Sequence, residues 1–179
     1  MKLVTSNKQK LEEFKRILPE IEAVQGKDLR EVDGTHEEVI IYKSIEAGKG
    51  TIVEDTILVV QGEEVVDVKW KIEELKKHKD SAHCVWVTIL GVNNGNSIKL
   101  YKGSIKGIIN SNSKDPGLSF DPYFIPEGST VSLGYLDSVG KKDDFSARKK
   151  ALMNLKTNNS SSRVKIKDIK EWEGGYQND

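Results

Sequence analysis

Through the first third of the chain the hydrophobic period switches repeatedly between that of a strand and that of a helix, which restricts the fold more than any other feature. Residues 2–5 read as a short strand. Leu11, Phe14, Ile17 and Leu18 then recur at helical spacing over residues 6–18. Ser6 and Gln9 can form a capping box at the start of that helix, and Pro19 stops it. Residues 21–25 suit a second strand, and residues 28–34 form a polar loop. Thr35, with Glu38 three residues on, opens a helix carrying Val39, Ile40, Tyr42 and Ile45 that ends near Gly48. Residues 51–60 are β-rich but interrupted by Glu54-Asp55-Thr56. Strand, helix, strand, helix, strand in this order predicts an α/β domain.

The rest of the chain turns that prediction into a mixed sheet. Residues 68–78 read as a helix and residues 82–92 as a strong strand. Asn94-Gly95 marks a hairpin turn, with residues 98–106 returning as its partner. A polar loop over 110–116 leads into a compact loop over 117–128 that holds Phe120, Pro122, Tyr123, Phe124 and Pro126. Residues 145–155 read as a helix. After Lys156 the composition, Thr-Asn-Asn-Ser-Ser-Ser, is that of a flexible linker, and the tail 163–179 adds one strand or stays mobile. The expected organisation is one α/β domain over 1–157, with linker and tail over 158–179.

Charge and composition exclude several classes of function. The 28 basic and 28 acidic residues cancel, so no global field draws the protein to nucleic acid or an anionic membrane. The lysines over 69–79 and at Lys149-Lys150 alternate with acids or apolar residues and read as solvated helix faces. No apolar stretch reaches the about 18 residues that span a bilayer. The N-terminus turns polar too soon for a signal peptide, so the expected location is cytoplasmic. Cys84 stands alone in an apolar run and reads as a buried, inert thiol. A glycine-rich phosphate loop and zinc-finger spacing are both absent from the sequence.

Several residues point to chemistry. Thr5-Ser6-Asn7-Lys8-Gln9-Lys10 lies where a strand ends and a helix begins, and helix N-termini turn free N–H groups and a positive dipole end toward anions. A triphosphate cradle and a capped, solvated helix both suit these residues. Glu54-Asp55 places two adjacent acids in an apolar run, where burial is costly without a cation or solvent. A magnesium site, a general base or a surface bulge would each account for them. Glu31 could join a metal site or remain an exposed loop acid. Lys43 sits mid-helix, where a surface lysine is the ordinary case. Arg148 could reach a purine carbonyl with its forked donors, or face solvent.

Four motifs in order give these residues a common meaning. Thr5-Ser6-Asn7 followed by Lys10 resembles the N-terminal phosphate motif of the inosine triphosphate pyrophosphatase family. Val53-Glu54-Asp55-Thr56 resembles its acidic catalytic motif. Ser119-Phe120-Asp121-Pro122 is similar to its base-pocket segment, and Phe145-Ser146-Ala147-Arg148 to its closing Ser-His-Arg helix. The resemblance runs from Lys2 to about Leu155. It implies an ITPase-like (Maf/Ham-type) fold, with a cleft between a central mixed sheet and a smaller lobe, in a homodimer. It also implies cleavage of dITP, ITP or XTP to monophosphate and pyrophosphate with Mg²⁺. By position, Asp55 and Glu54 are the catalytic acids, and Glu31 and Asp55 the metal ligands. Thr5, Ser6, Asn7, Lys10 and Lys43 would bind phosphate. Leu118, Phe120, Asp121, Lys142, Ser146 and Arg148 would bind the base.

The chain departs from the family pattern around the base. The family histidine is Ala147, its glycine is Ser119, and its first aromatic is Leu118. Gln61-Gly62-Glu63-Glu64-Val65-Val66 replaces a glycine- and proline-rich loop, which predicts a trimmed second lobe. These departures allow two functions. One is a pyrophosphatase that clears deaminated purine nucleotides. The other is a weakly active or inactive dITP sensor that controls an effector protein, as family-like proteins do in antiphage systems.

Overall fold

The computed structural model describes residues 1–24, 28–78 and 80–177. Gln25 at the end of the second expected strand, Lys79 of the basic cluster and the last two residues of the tail lie outside them. The strands are β1 (Lys2–Val4), β2 (Glu22–Val24), β3 (Thr51–Val60), β4 (Glu63–Val65), β5 (His83–Asn93), β6 (Ser97–Ile109), β7 (Phe124–Pro126) and β8 (Ser162–Lys165). The helices are α1 (Lys8–Ile17), α2 (His36–Ala47), α3 (Ile72–Leu75), α4 (Leu133–Ser138) and α5 (Ala147–Lys156). The sheet order is β2-β1-β3-β5-β6-β7, with β4 on β3 and β8 on β6. β1 is parallel to β2 and β3, as helical crossovers require. β4, β7 and β8 are antiparallel to their partners. The fold is the expected α/β class with a mixed sheet.

The chain forms two compact units. The first comprises Met1–Asp55, Thr88–Gly103 and Arg148–Asp179. Its core gathers Leu3, Phe14, Ile21, Ile52, Leu90, Tyr101, Ala151 and Leu152. Phe14 is fully buried and anchors α1 through the apolar stripe read from the sequence. α2 lies so close to β5 that a Cβ on Gly91 would stand 2.2 Å from Ser44 Oγ and 2.7 Å from Ile40. The second unit comprises Thr56–Val87 and Ser104–Ala147. Leu58, Ile105, Ile109, Phe120, Phe124, Leu133 and Leu136 are among its core residues. Cys84 is buried there as expected, and burial pushes its thiol up to about 12. Among the described residues no helix is long and apolar enough to cross a membrane.

Five local expectations are corrected. The cap of α1 is Asn7, not Ser6: its backbone is extended and its side chain accepts from Lys10 N at 3.2 Å. The third helical residue is then Lys10, which cannot return the bond, so no capping box forms. β3 runs unbroken through Glu54 and Asp55, because both acids find cations. Residues 68–78 hold only a single 3₁₀ turn, Val68–Trp70, and the short α3. Lys71, outside the helical region, separates the two. The loop over 117–128 contains a 3₁₀ turn, Asp121–Tyr123, and β7, which pairs with β6. α4 has no counterpart in the sequence reading, although Ser132 caps it and Leu133 and Leu136 are buried at helical spacing. In the tail, Ser162–Lys165 pairs with Ser97–Leu100 and supplies the one extra strand.

Candidate functional site

Adjacent residues in a strand point to opposite faces of the sheet. Glu54 and Asp55 therefore meet different neighbours, although both are buried. The capping box of Thr35 and Glu38, present as expected, fixes the start of α2. His36 is its first residue and Lys43 lies two turns on, so both share one helix face. His36 Nε2 stands 3.1 Å from the Asp55 carbonyl oxygen and 3.5 Å from Asp55 Oδ2. Lys43 Nζ donates to Glu31 Oε1 at 2.7 Å and to the Glu54 carbonyl at 3.3 Å, and lies 3.7 Å from Asp55 Oδ1. Glu31, Lys43 and Asp55 thus converge in the first unit.

The electrostatics of this cluster follow from burial. Loss of solvent pushes the Asp55 carboxyl up to about 6; Lys43 and Lys10 oppose that rise, while Glu31 and Glu54 add to it. Burial works against the Lys43 ammonium, but Asp55, Glu31 and Glu54 outweigh it and hold its pKa above the ordinary value. Asp55 Oδ2 is buried with no hydrogen-bond partner among the described residues. A buried carboxylate oxygen is costly in that state, and at a site of chemistry it is a position for a proton or a cation.

Glu54 is held differently. Lys10 Nζ contacts its Oε2 at 2.7 Å. Arg148 Nε and Nη2 donate to its Oε1 at 3.3 and 3.1 Å, and Arg148 Nη1 donates to Glu13 Oε2. Glu13 and Glu54, both buried, therefore share the Arg148 guanidinium. Sequence reasoning missed Glu13 and His36. Glu13 lies three residues after Lys10, hence on the same helix face, beside Phe14 of the apolar stripe. His36 directly follows the capping Thr35. In the turn before α1, Thr5 Oγ1 accepts from Asn7 N at 3.1 Å and Ser6 is exposed.

The second unit carries the remaining positions. Lys142 Nζ donates to Asp121 Oδ2 at 2.7 Å, and both residues are buried. Phe120 is fully buried, stacked on Trp86 at 6.1 Å and tilted against Tyr123 at 5.6 Å. Leu118 is 64% exposed. Ser119 adopts φ 56°, a left-handed conformation that a side chain disfavours, at the position where the resemblance places glycine. Ser146 is buried in an extended conformation just before α5, and Ala147 is buried beside it.

A magnesium ion fits the donors of the first unit. Among the described residues no three His, Cys, Asp or Glu side chains form a ready cage. Magnesium in nucleotide enzymes is held by one or two carboxylates plus substrate phosphates, so a complete protein cage is not required. Glu31 and Asp55 supply two hard carboxylates, drawn together by an ammonium, and Asp55 Oδ2 makes no hydrogen bond among the described residues.

Comparison with known proteins identifies the family of the chain. The Ham1 family model matches residues 1–158, most of the chain. The chain belongs to the Ham1 family. Two dITP/XTP pyrophosphatases are similar to this Ham1 chain over nearly their whole length. A dITP/XTP pyrophosphatase of Hyperthermus butylicus is 24% identical over 174 residues, covering 86% of this chain and 90% of that one. One of Korarchaeum cryptofilum is 25% identical over 169 residues, covering 83% and 89%. Among solved structures, the Ham1 protein of Staphylococcus aureus superposes with a TM-score of 0.69 at 22% identity, covering 89% of this chain and 98% of that one. A HAM1 protein from Coxiella burnetii gives 0.67 at 20% identity, with 89% and 98% covered. These likenesses agree with the mixed α/β fold and with membership of the inosine triphosphate pyrophosphatase family.

Proposed function

We propose that this Ham1 protein hydrolyses deaminated purine nucleoside triphosphates of the dITP or XTP type to monophosphate and pyrophosphate. The observation that carries this is the buried Glu31–Lys43–Asp55 cluster, in which Asp55 is held near a carboxyl pKa of about 6. A carboxylate with a pKa close to neutrality is both charged at working pH and basic enough to take a proton. Asp55 accepts the proton of the water that breaks the α–β bond, and pyrophosphate is the leaving group. His36 fixes the Asp55 backbone and faces its carboxylate. Lys43 and Lys10 hold phosphate oxygens, with the turn of Thr5, Ser6 and Asn7. Mg²⁺, when bound at Glu31 and Asp55, would neutralise charge on the phosphates. Glu54, clamped by Lys10 and Arg148, sets the position of that lysine.

For the base, the proposal assigns Leu118, Phe120, Asp121, Lys142 and Ser146 in the second unit. Arg148 is proposed for the same role, but its loss also strips a cation from Glu13 and Glu54, so binding and stability need measuring together. Purified protein with dITP and Mg²⁺ tests the reaction. Release of dIMP and pyrophosphate, absent from the Asp55→Asn variant, is the expected result; release of orthophosphate in place of pyrophosphate contradicts it. The second function, sensing without turnover, rests on Ala147, which supplies no imidazole beside the base positions. It predicts saturable dITP binding with no product in the same assay.

A further inference from the structure

The segment after β8 lies beyond the part of the chain that matches the family, and it is bound to the loop that carries Glu31. Tyr176 forms an isolated antiparallel bridge with Val32. Gln177 N donates to the Glu31 carbonyl at 2.8 Å, and Asp33 N donates to the Gly175 carbonyl at 3.0 Å. Gln177 Nε2 donates to the Val32 carbonyl at 3.2 Å. The Arg30 guanidinium lies 3.5 Å over the Tyr176 ring. A second set of contacts fastens the segment to α2. Tyr42 Oη donates to the Lys170 carbonyl at 2.8 Å, and the Tyr42 and Trp172 rings meet edge-on at 5.2 Å. Trp172 passes so close to the loop that a Cβ on Gly34 would stand 2.9 Å from its ring.

The geometry points to residues 170–177 as a positioning strap for Glu31. Backbone bonds engage the acid itself and the residue two places after it, and the Tyr176 ring engages the guanidinium of Arg30, the residue before it. The loop has no regular secondary structure of its own, so the strap supplies the strand partner that fixes its backbone. The same segment grips Tyr42, the residue before Lys43. One short stretch of chain therefore holds both ends of the Glu31–Lys43 pair, at the site where the proposed function places metal and phosphate.

This inference rests on that function, so its test separates the two. Four forms are compared with full-length protein: a chain ending after Asp168, Tyr176→Ala, Glu31→Gln, and Glu31→Gln with the truncation. The truncation spares β8, and Tyr176→Phe, which keeps the ring over Arg30, serves as the conservative control. Loss of a group that orients a metal ligand weakens metal affinity by on the order of 10-fold. Truncation and Tyr176→Ala should therefore raise the Mg²⁺ concentration that half-saturates dITP hydrolysis by about that factor, while Tyr176→Phe restores it. In the Glu31→Gln background truncation should add nothing further. Amide hydrogen exchange supplies a readout independent of turnover: the Asp33 amide should lose protection on truncation, and amides of β1 and β3 should keep theirs. Unchanged half-saturation on truncation, with a clear effect of Glu31→Gln, overturns the strap and leaves the site standing. No effect of Glu31→Gln overturns both.

Discussion

At the scale of the residue, two neighbouring acids have been given opposite tasks by strand geometry. Asp55 carries a penalty: its folded pKa of about 6 exceeds the ordinary value of 3.8. The folded state thus binds a proton more tightly than the unfolded chain between these values. Stability from this group is present at low pH and is lost as pH rises from about 4 through 6. Asp55→Asn should therefore stabilise the fold at pH 7 by on the order of 1–3 kcal/mol while removing activity, measurable by urea denaturation. A destabilised variant contradicts that burial cost. Arg148 works in the other direction. Its replacement by alanine removes a cation from two buried acids, and breaking such a buried pair costs roughly 3–5 kcal/mol. Loss of purine preference without loss of stability would show that these ion pairs matter little. Ser119→Gly should relieve a left-handed backbone and raise stability by about 1 kcal/mol. The acids, the lysines and Arg148 were all visible in the sequence as residues. Their pairing was not, because which face of β3 each acid takes depends on an unbroken strand, and the apolar run looked interrupted.

At the scale of the element, legibility followed local signals. α2 was plain because Thr35 and Glu38 form their capping box within four consecutive residues. β5 and β6 were plain because Asn94 and Gly95 close a tight turn between long apolar runs. α4, β4 and β7 were hidden because each is short and is stabilised by neighbours distant in sequence, as β7 is by Gly107, Ile108 and Ile109. Residues 157–162 read as linker and the tail as one strand or a mobile end; the strand is β8, and its partner, Ser97 to Leu100, is one no local pattern reveals. α2 also depends on a contact that sequence alone cannot show. Gly91→Ala would drive a methyl group into Ser44 and Ile40, an overpacking that typically costs about 1–3 kcal/mol. Because α2 carries His36 and Lys43, that variant should lose activity as well as stability. A thermal melt with a parallel pyrophosphate assay checks both, and normal values for both would mean that the helix tolerates the shift.

At the scale of the whole molecule, the mixed sheet and the Ham1 family account for the order of the four motifs, and the proposed function gives the buried cluster of Glu31, Lys43 and Asp55 a chemistry. The most direct test of that chemistry is the pH dependence of kcat/KM for pyrophosphate release from dITP at subsaturating Mg²⁺, which reports the groups of the free enzyme. Asp55 is competent as a base only when ionised, so the rate should rise about tenfold per pH unit below its pKa, bend near pH 6 and level off above it. Asp55→Asn should release no pyrophosphate at any pH. A rate that is flat between pH 5 and 7 in the wild type, or substantial pyrophosphate release by Asp55→Asn, would contradict the assignment of Asp55 as the base at the centre of this site.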